Sequence, residues 1–496
     1  MSTAGTSQLL ATTLAAIEED RRPEAGALFA DVVSRAMRPC PTDAPGDRRG
    51  ISGRTGEPQA RRFAEPPVAG QPLPEVVRGL ARDFLDGSVL PGHRMSMSAP
   101  LSAPLPAVVW SEALIAAMNQ SLRMQDMSPT GTLLETELVR WMARLVGWHD
   151  GAGGTFTSGA TESSFTALLA ARARALPRAW LEGVGAEPPI VVAAPSVHFT
   201  ISRALGALGL GTRQLDIVAS SDQRLDPAAL DRRLGEHTRS GRRVVAVVAT
   251  AAAYVTGRFD DLHAIGQVCA AHRVWLHVDA AIGGTALLSA THRAKVAGIE
   301  HASSVAWDLH KLAMLPLAAG VLLVRDERDL DRAFAPPSED ADHATRPRSA
   351  HQGLRSFQNS RRLDALKLWV ALERHGTAGL GALYDRLCEL ASELHRQIAA
   401  RRELEPLVAP ESSTVVFRYT AGRALDDATL DDLNHEIYRE AEARRLAILS
   451  LTRLAGRLAL VAVMTDPFLT GAELTTLLDG VVALGAALAP GAGASP

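Results

Sequence analysis

Four short runs of almost uninterrupted apolar residues constrain this chain most: Ile190-Val-Val-Ala-Ala194, Val244-Val-Ala-Val-Val248, Trp275-Leu-His-Val278 and Gly320-Val-Leu-Leu-Val324. A strand with one wet face alternates apolar and polar residues, whereas a run with almost no polar gap suits a strand covered on both faces. Helical segments separate the runs, and that alternation predicts a mostly parallel sheet in an α/β layer architecture. Open sheets of this kind carry their ligand sites beyond the carboxyl ends of the strands. The residues that follow each run are therefore where chemistry is to be sought.

At 496 residues the chain fits two or three domains in one subunit. Residues 8–37 read as helical, 39–74 as a Pro-, Gly- and Arg-rich arm, and 328–360 as a long polar connection with the character of a lid. A helix is expected from 361 to about 374, and strands at 413–419 and 457–463 suggest a small α+β domain. The expected organisation is an N-terminal helical and extended segment over 1–104, a large domain over 105–375 and a small domain over 376–490. A net charge of −3 offers no field for nucleic acid or an anionic membrane. Cys40, Cys269 and Cys388 are too few and too scattered for a disulfide framework. No apolar window approaches the ~20 residues of a membrane span. A soluble, cytoplasmic protein is expected.

Only three lysines, Lys295, Lys311 and Lys367, occur among 52 basic residues. Lys295 and Lys367 lie in polar helical patterns and read as solvated. Lys311 follows Ser303-Ser-Val-Ala-Trp-Asp308-Leu-His310, just beyond a strand. Asp279 closes the run 275–278, where a carboxylate costs several kcal/mol unless a cation partners it. That partner could be a structural salt bridge. It could equally be the pyridine nitrogen of pyridoxal phosphate, whose chemistry needs a lysine to hold its aldehyde and a carboxylate to keep its ring protonated. Gly154-Thr-Phe-Thr-Ser158-Gly159-Ala160-Thr161-Glu162 leads into an apolar helix. Its small residues and helix start suit a phosphate cradle, although the same residue types are ordinary cap chemistry. His198 follows the run 190–194; it is either a loop histidine or a ring that stacks on a nearby cofactor.

Together these pieces resemble the group II pyridoxal phosphate-dependent amino-acid decarboxylases, the family of glutamate, aromatic-amino-acid and diaminobutyrate decarboxylases. The resemblance covers roughly residues 75–470. It rests on Asn119-Gln120 with Met127-Ser-Pro129 and Glu135, on the segment Phe156 to Glu162, and on His198. It rests also on Trp275 to Ala281 with Gly283-Gly284, on Asp308-Leu-His-Lys311, and on Arg361-Arg-Leu-Asp-Ala-Leu-Lys-Leu-Trp369, the last being most similar to the bacterial diaminobutyrate-type branch. The resemblance implies the fold type I transferase architecture, with a mostly parallel seven-stranded sheet, a small α+β C-terminal domain and an N-terminal helical arm. It implies a homodimer with the active site at the interface and the N-terminal helices crossing onto the partner. Lys311 would be the Schiff-base lysine, Asp279 the partner of the pyridine nitrogen and His198 the ring stacked on its face. Ser158, Gly159 and Ala160 would hold the phosphate, with Asp308 beside it and Ala281 in the cofactor-binding set. His310 would sit between cofactor and substrate, and Arg457 would fork onto the substrate carboxylate. No metal-ligating set is assigned.

The chain departs from that family in three places. Ala252-Ala253-Tyr254 stands where relatives carry Gly-Thr-Thr, which puts the Tyr254 phenol near the cofactor's own phenolic oxygen. Relatives place a tyrosine in the loop after the lysine to protonate the carbanion left by CO2; here no tyrosine occurs from 334 to 360. His343, His351 or Tyr254 could supply that proton, and without it oxidative decarboxylation to an aldehyde, or a non-catalytic cofactor-binding homologue, are the alternatives. Finally, His93-Arg-Met-Ser-Met-Ser-Ala-Pro100 replaces a stretch that is aromatic in relatives. Its small, flexible residues argue against an aromatic substrate and make His93 and Pro100 candidate substrate contacts.

Overall fold

The computed structural model describes residues 15, 19–37, 64, 67–85, 88–334 and 351–489. All four apolar runs are strands of one seven-stranded sheet. Its members are β1 (Gly153–Thr157), β2 (Ile190–Ala193), β3 (Leu215–Ile217), β4 (Val244–Thr250), β5 (Trp275–Asp279), β6 (Ser304–Asp308) and β7 (Gly320–Val324). The spatial order is β1-β7-β6-β5-β4-β2-β3, and only β7 runs against its neighbours. Alternate residues feed two cores. Val191, Ala193, Ala246 and Val248 pack with Leu168 and Ile201 on one face, while Val192, Val247, Ala249 and Val278 pack with Met142 and Ile265 on the other. This double burial explains why the strands read as continuous apolar runs.

The small domain carries an antiparallel sheet of β8 (Leu404–Val408), β9 (Thr414–Tyr419), β10 (Ser450–Leu454) and β11 (Arg457–Val463), in the order β10-β11-β9-β8. A strap from the N-terminal segment reaches this sheet. Met97 N–H donates to Ile448 O at 2.8 Å, and Val463 N–H donates to Met97 O at 2.8 Å. The helix Gly471–Leu488 is long and apolar enough to span a membrane, yet it turns Leu474, Leu477, Leu478 and Val481 into the domain core. In the N-terminal segment, helices cover Pro23–Met37 and Leu73–Leu80; most of the expected arm lies outside the described residues.

Three expectations are corrected. The connection 328–360 is not all loop: Arg328–Ala333 is a helix, and His351, Gln352, Arg355 and Ser356 return buried. The long helix starts at Ala365, not 361, and continues through a kink at Gly376 to Ala399. Gly376 has a φ of 67°, a left-handed conformation that glycine adopts without strain. Lys367 is not solvated. Its side chain is 0% exposed, with Nζ 2.7 Å from Glu112, 2.8 Å from Asp364 and 2.8 Å from Ala318 O. It thereby pins the loop that follows Lys311. Lys367→Met removes the buried amine from Glu112 and Asp364 and leaves Arg362 as their cation, a change expected to cost about 2 kcal/mol, below that of a fully stripped buried pair. Denaturant unfolding checks this; a midpoint equal to wild type would show the cluster to be neutral.

Candidate active site

The carboxyl ends of five strands converge on one cleft. It is lined by Ala160 and Thr161 after β1, by Ser196, His198 and Thr200 after β2, and by Thr250, Ala252 and Tyr254 at the end of β4. Asp279, Ala281 and Ile282 come from β5, and Asp308 and Lys311 from β6. Wider depressions lie elsewhere, around Arg174, Asp326 and Arg328, where the arginines already pair with Asp329 and Asp326.

Asp279 is buried, and its Oδ1 accepts the Ala281 N–H at 3.1 Å. Among the described residues no lysine or arginine forms an ion pair with it. Asp308 ties two parts of the site together: Oδ1 accepts the Ala160 N–H at 2.6 Å and Oδ2 lies 3.1 Å from Lys311 Nζ. His198 caps the helix Phe199–Ala207, with Nδ1 2.8 Å from Thr200 Oγ1. Burial lowers its pKa against the pull of Asp279, so the ring is neutral at neutral pH and can face a cationic heterocycle. Tyr254 meets the His198 ring edge-on at 6.0 Å, and its hydroxyl is 3.5 Å from Ser98 O. Ala252 holds a φ of 64°, a left-handed strain at the cleft wall.

The helix Ala160–Ala175 has no cap from its own N-cap residue; Asp308 takes the Ala160 N–H, and the next residue, Thr161, lines the cleft where the helix dipole begins. A buried carboxylate lacking a cation, an open helix start and a lysine amine beside an acid are the donor set that pyridoxal phosphate needs for its nitrogen, phosphate and aldehyde. Residues 79–420 match the pyridoxal-dependent decarboxylase conserved domain. The chain belongs to the pyridoxal-dependent decarboxylase family.

Among its relatives is L-2,4-diaminobutyrate decarboxylase of Rhizobium meliloti, 35% identical over 83% of this chain and 83% of the relative. Another is human cysteine sulfinic acid decarboxylase, 32% identical over 66% of this chain and 68% of the relative. Among solved structures, the glutamate decarboxylase domain of diaminobutyrate-pyruvate transaminase and L-2,4-diaminobutyrate decarboxylase from Vibrio parahaemolyticus superposes with a TM-score of 0.79. It is 28% identical, with 93% of this chain and 96% of that one covered. This protein is thus a pyridoxal phosphate-dependent amino-acid carboxy-lyase.

Within this decarboxylase the cleft unites Ala160, His198, Tyr254, Asp279, Ala281, Asp308 and Lys311. Ser158, which is exposed, and Gly159, which is buried, are not part of the cleft lining. Ser158 gives its N–H and hydroxyl to Glu162 Oε2, at 2.8 and 2.7 Å, and Gln358 donates to the same oxygen at 2.8 Å. Gly159 is needed for close approach, since a Cβ there would stand 3.1 Å from His310 Cε1. Beneath the loop, buried Arg361 bonds Glu135 at 2.5 Å and Phe156 O at 2.9 Å, joining three of the sequence motifs.

Two assignments change. His310 is buried outside the cleft lining: its Nδ1 accepts the Ala319 N–H at 3.1 Å and its ring packs against Gly159. Burial holds its imidazole below the usual range, with Asp308 opposing. Arg457 does not reach the cleft of this chain. It is paired with Glu405 and lies 3.5 Å from Asp427. It also opens β11, whose other end, Val463, meets the strap, and six strand steps separate the two by roughly 20 Å. His93 and Pro100 are buried outside the cleft lining, and His93 Nδ1 accepts the Met95 N–H at 3.1 Å. Their segment touches the site through Ser98 instead. His343 lies outside the described residues. Sequence reasoning missed Thr161, Thr200, Thr250 and Ile282, whose types carry no charge signal; only their position after strands marks them.

Proposed function

We propose that this decarboxylase acts on a non-aromatic amino acid with a short polar or charged side chain, and that L-2,4-diaminobutyrate is the first substrate to test. The observation that carries the reading is the Asp279–Lys311–Asp308 constellation in a cleft whose wall sets Ser196, Thr161, Thr200 and Thr250 beside Ala252, Tyr254, Ala281 and Ile282. The names of the relatives that match most of the chain support the substrate class. When bound, pyridoxal phosphate supplies the sink for the electrons released as CO2 leaves. The chain supplies placement. Lys311 holds the cofactor covalently, with Asp308 steadying its amine; Asp279 partners the ring nitrogen, and His198 covers the ring face. The helix start beyond Ala160, from Thr161 onward, would hold the phosphate, since Asp308 occupies the Ala160 N–H. The Tyr254 hydroxyl, placed at the cleft mouth, holds the proton for the carbon that loses CO2.

We also read the chain as one half of a homodimer. Trp110, Leu114 and Met118 form an exposed stripe at helical spacing, and Leu133 and Leu317 are exposed as well. A patch this apolar suits a protein partner. Incubating the cofactor-loaded protein with an amino-acid panel tests the enzymatic reading. Diaminobutyrate should yield CO2 and 1,3-diaminopropane without oxygen uptake. Oxygen uptake with aldehyde formation, or preference for an aromatic amino acid, would refute it.

A further inference from the structure

Away from the cleft, His263, Glu300 and His301 place three ligand atoms within 4.8 Å of one another. His263 lies in the first turn of the helix Leu262–His272; Glu300 and His301 end the turn Ile299–His301, which leads into β6. His301 Nε2 is 3.3 Å from His263 Nδ1 and 3.9 Å from Glu300 Oε1. A tetrahedral zinc ion with bonds of about 2.0–2.1 Å separates its ligands by about 3.3–3.4 Å. The two imidazole nitrogens already stand at that spacing, and a small swing of Glu300 completes the triangle.

The atoms behind the ligands are held as well. His263 Nε2 is 2.9 Å from the side-chain amide of Gln267. With that amide turned so that its oxygen accepts, Nε2 carries the proton and Nδ1 presents its lone pair. Glu300 Oε2 accepts the Gly298 N–H at 3.1 Å, which leaves Oε1 for a ligand role. Glu300 O accepts the Trp148 indole N–H at 2.9 Å, fixing the backbone. Helix and turn touch, because a Cβ on Gly266 would fall 2.5 Å from His301 Cβ.

We propose that His263, Glu300 and His301 bind one divalent transition-metal ion of the zinc class, with water completing the shell. Imidazole with carboxylate suits zinc, cobalt or nickel rather than magnesium or calcium. The site stands at the amino end of β6, the opposite end from Asp308 and Lys311, so the ion would join helix to turn and take no part in decarboxylation. His263 is 38 residues from His301 in sequence and shares no spacing motif with the Glu300-His301 pair, so the fold brings them together.

The test is calorimetric titration of zinc chloride into chelator-treated, cofactor-loaded protein. One ion per chain is expected, with a rise in melting temperature that magnesium does not reproduce. His263→Gln and His301→Gln should each remove stoichiometric binding and the thermal shift while leaving decarboxylation unchanged. Gln267→Ala, which disturbs no ligand, should weaken zinc by about tenfold or more, and it serves if a histidine variant fails to fold. Absence of stoichiometric binding overturns the proposal, as does zinc affinity unchanged in these variants.

Discussion

Lys311→Ala protein is expected to show no turnover of any amino acid and no cofactor retained covalently after borohydride reduction. The geometry leaves no substitute amine. Lys367 is fully buried in its cluster with Glu112 and Asp364, and Lys295 lies exposed in the turn Arg293–Val296. Arginine cannot take the role, because its guanidinium does not give up a proton in the accessible range. Intact-mass measurement of the reduced protein provides the check: wild type gains one cofactor mass and the variant gains none. A cofactor mass found on another lysine would remove Lys311 from its assigned role.

Asp279→Asn should keep the fold and the bond to the Ala281 N–H but lose the buried negative charge. Turnover is expected to fall by about 10³-fold, the scale seen when one preorganised electrostatic partner is removed from a closed site. The reason lies in the site's position. Asp279 ends a strand whose five residues are all buried, and Thr250 faces it in register on β4. Little water screens it there, so the charge acts on the ring nitrogen at close to full strength. Steady-state rates under saturating cofactor measure the effect; a loss smaller than tenfold would mean that another group keeps the ring protonated.

Much of this was legible from the residues. Strands covered on both faces announce themselves as apolar runs, and the rule that ligands gather at their carboxyl ends led to Asp279, His198 and Lys311, which the fold does bring into one cleft. β1 was hidden because its sequence, Gly-Gly-Thr-Phe-Thr, reads as a loop, and β3 is only three residues long. Two of the residues share one physical cause. The solvated reading of Lys367 and the substrate role of Arg457 were undone by carboxylates distant in sequence, Glu112 and Glu405, which no local pattern reveals. His310 stands off the cleft lining while Lys311 enters it, because β6 ends at Asp308 and the turn after it sends neighbouring side chains in different directions. Conversely, His277 inside the cofactor motif is a core residue held between Ser164 and Ser304, and burial pushes its imidazole down to about 4.

The strap through Met97 has a consequence for how the enzyme is made. Its two anchors, Ile448 and Val463, leave the ribosome long after Lys311 and Asp279, while Ser98 beside them forms the lip over Tyr254. Domains tend to fold in order of synthesis, so the nascent chain completes its vitamin-holding pocket first and seals the doorway last. The lip over Tyr254 is therefore the last part of the cleft to be set in place.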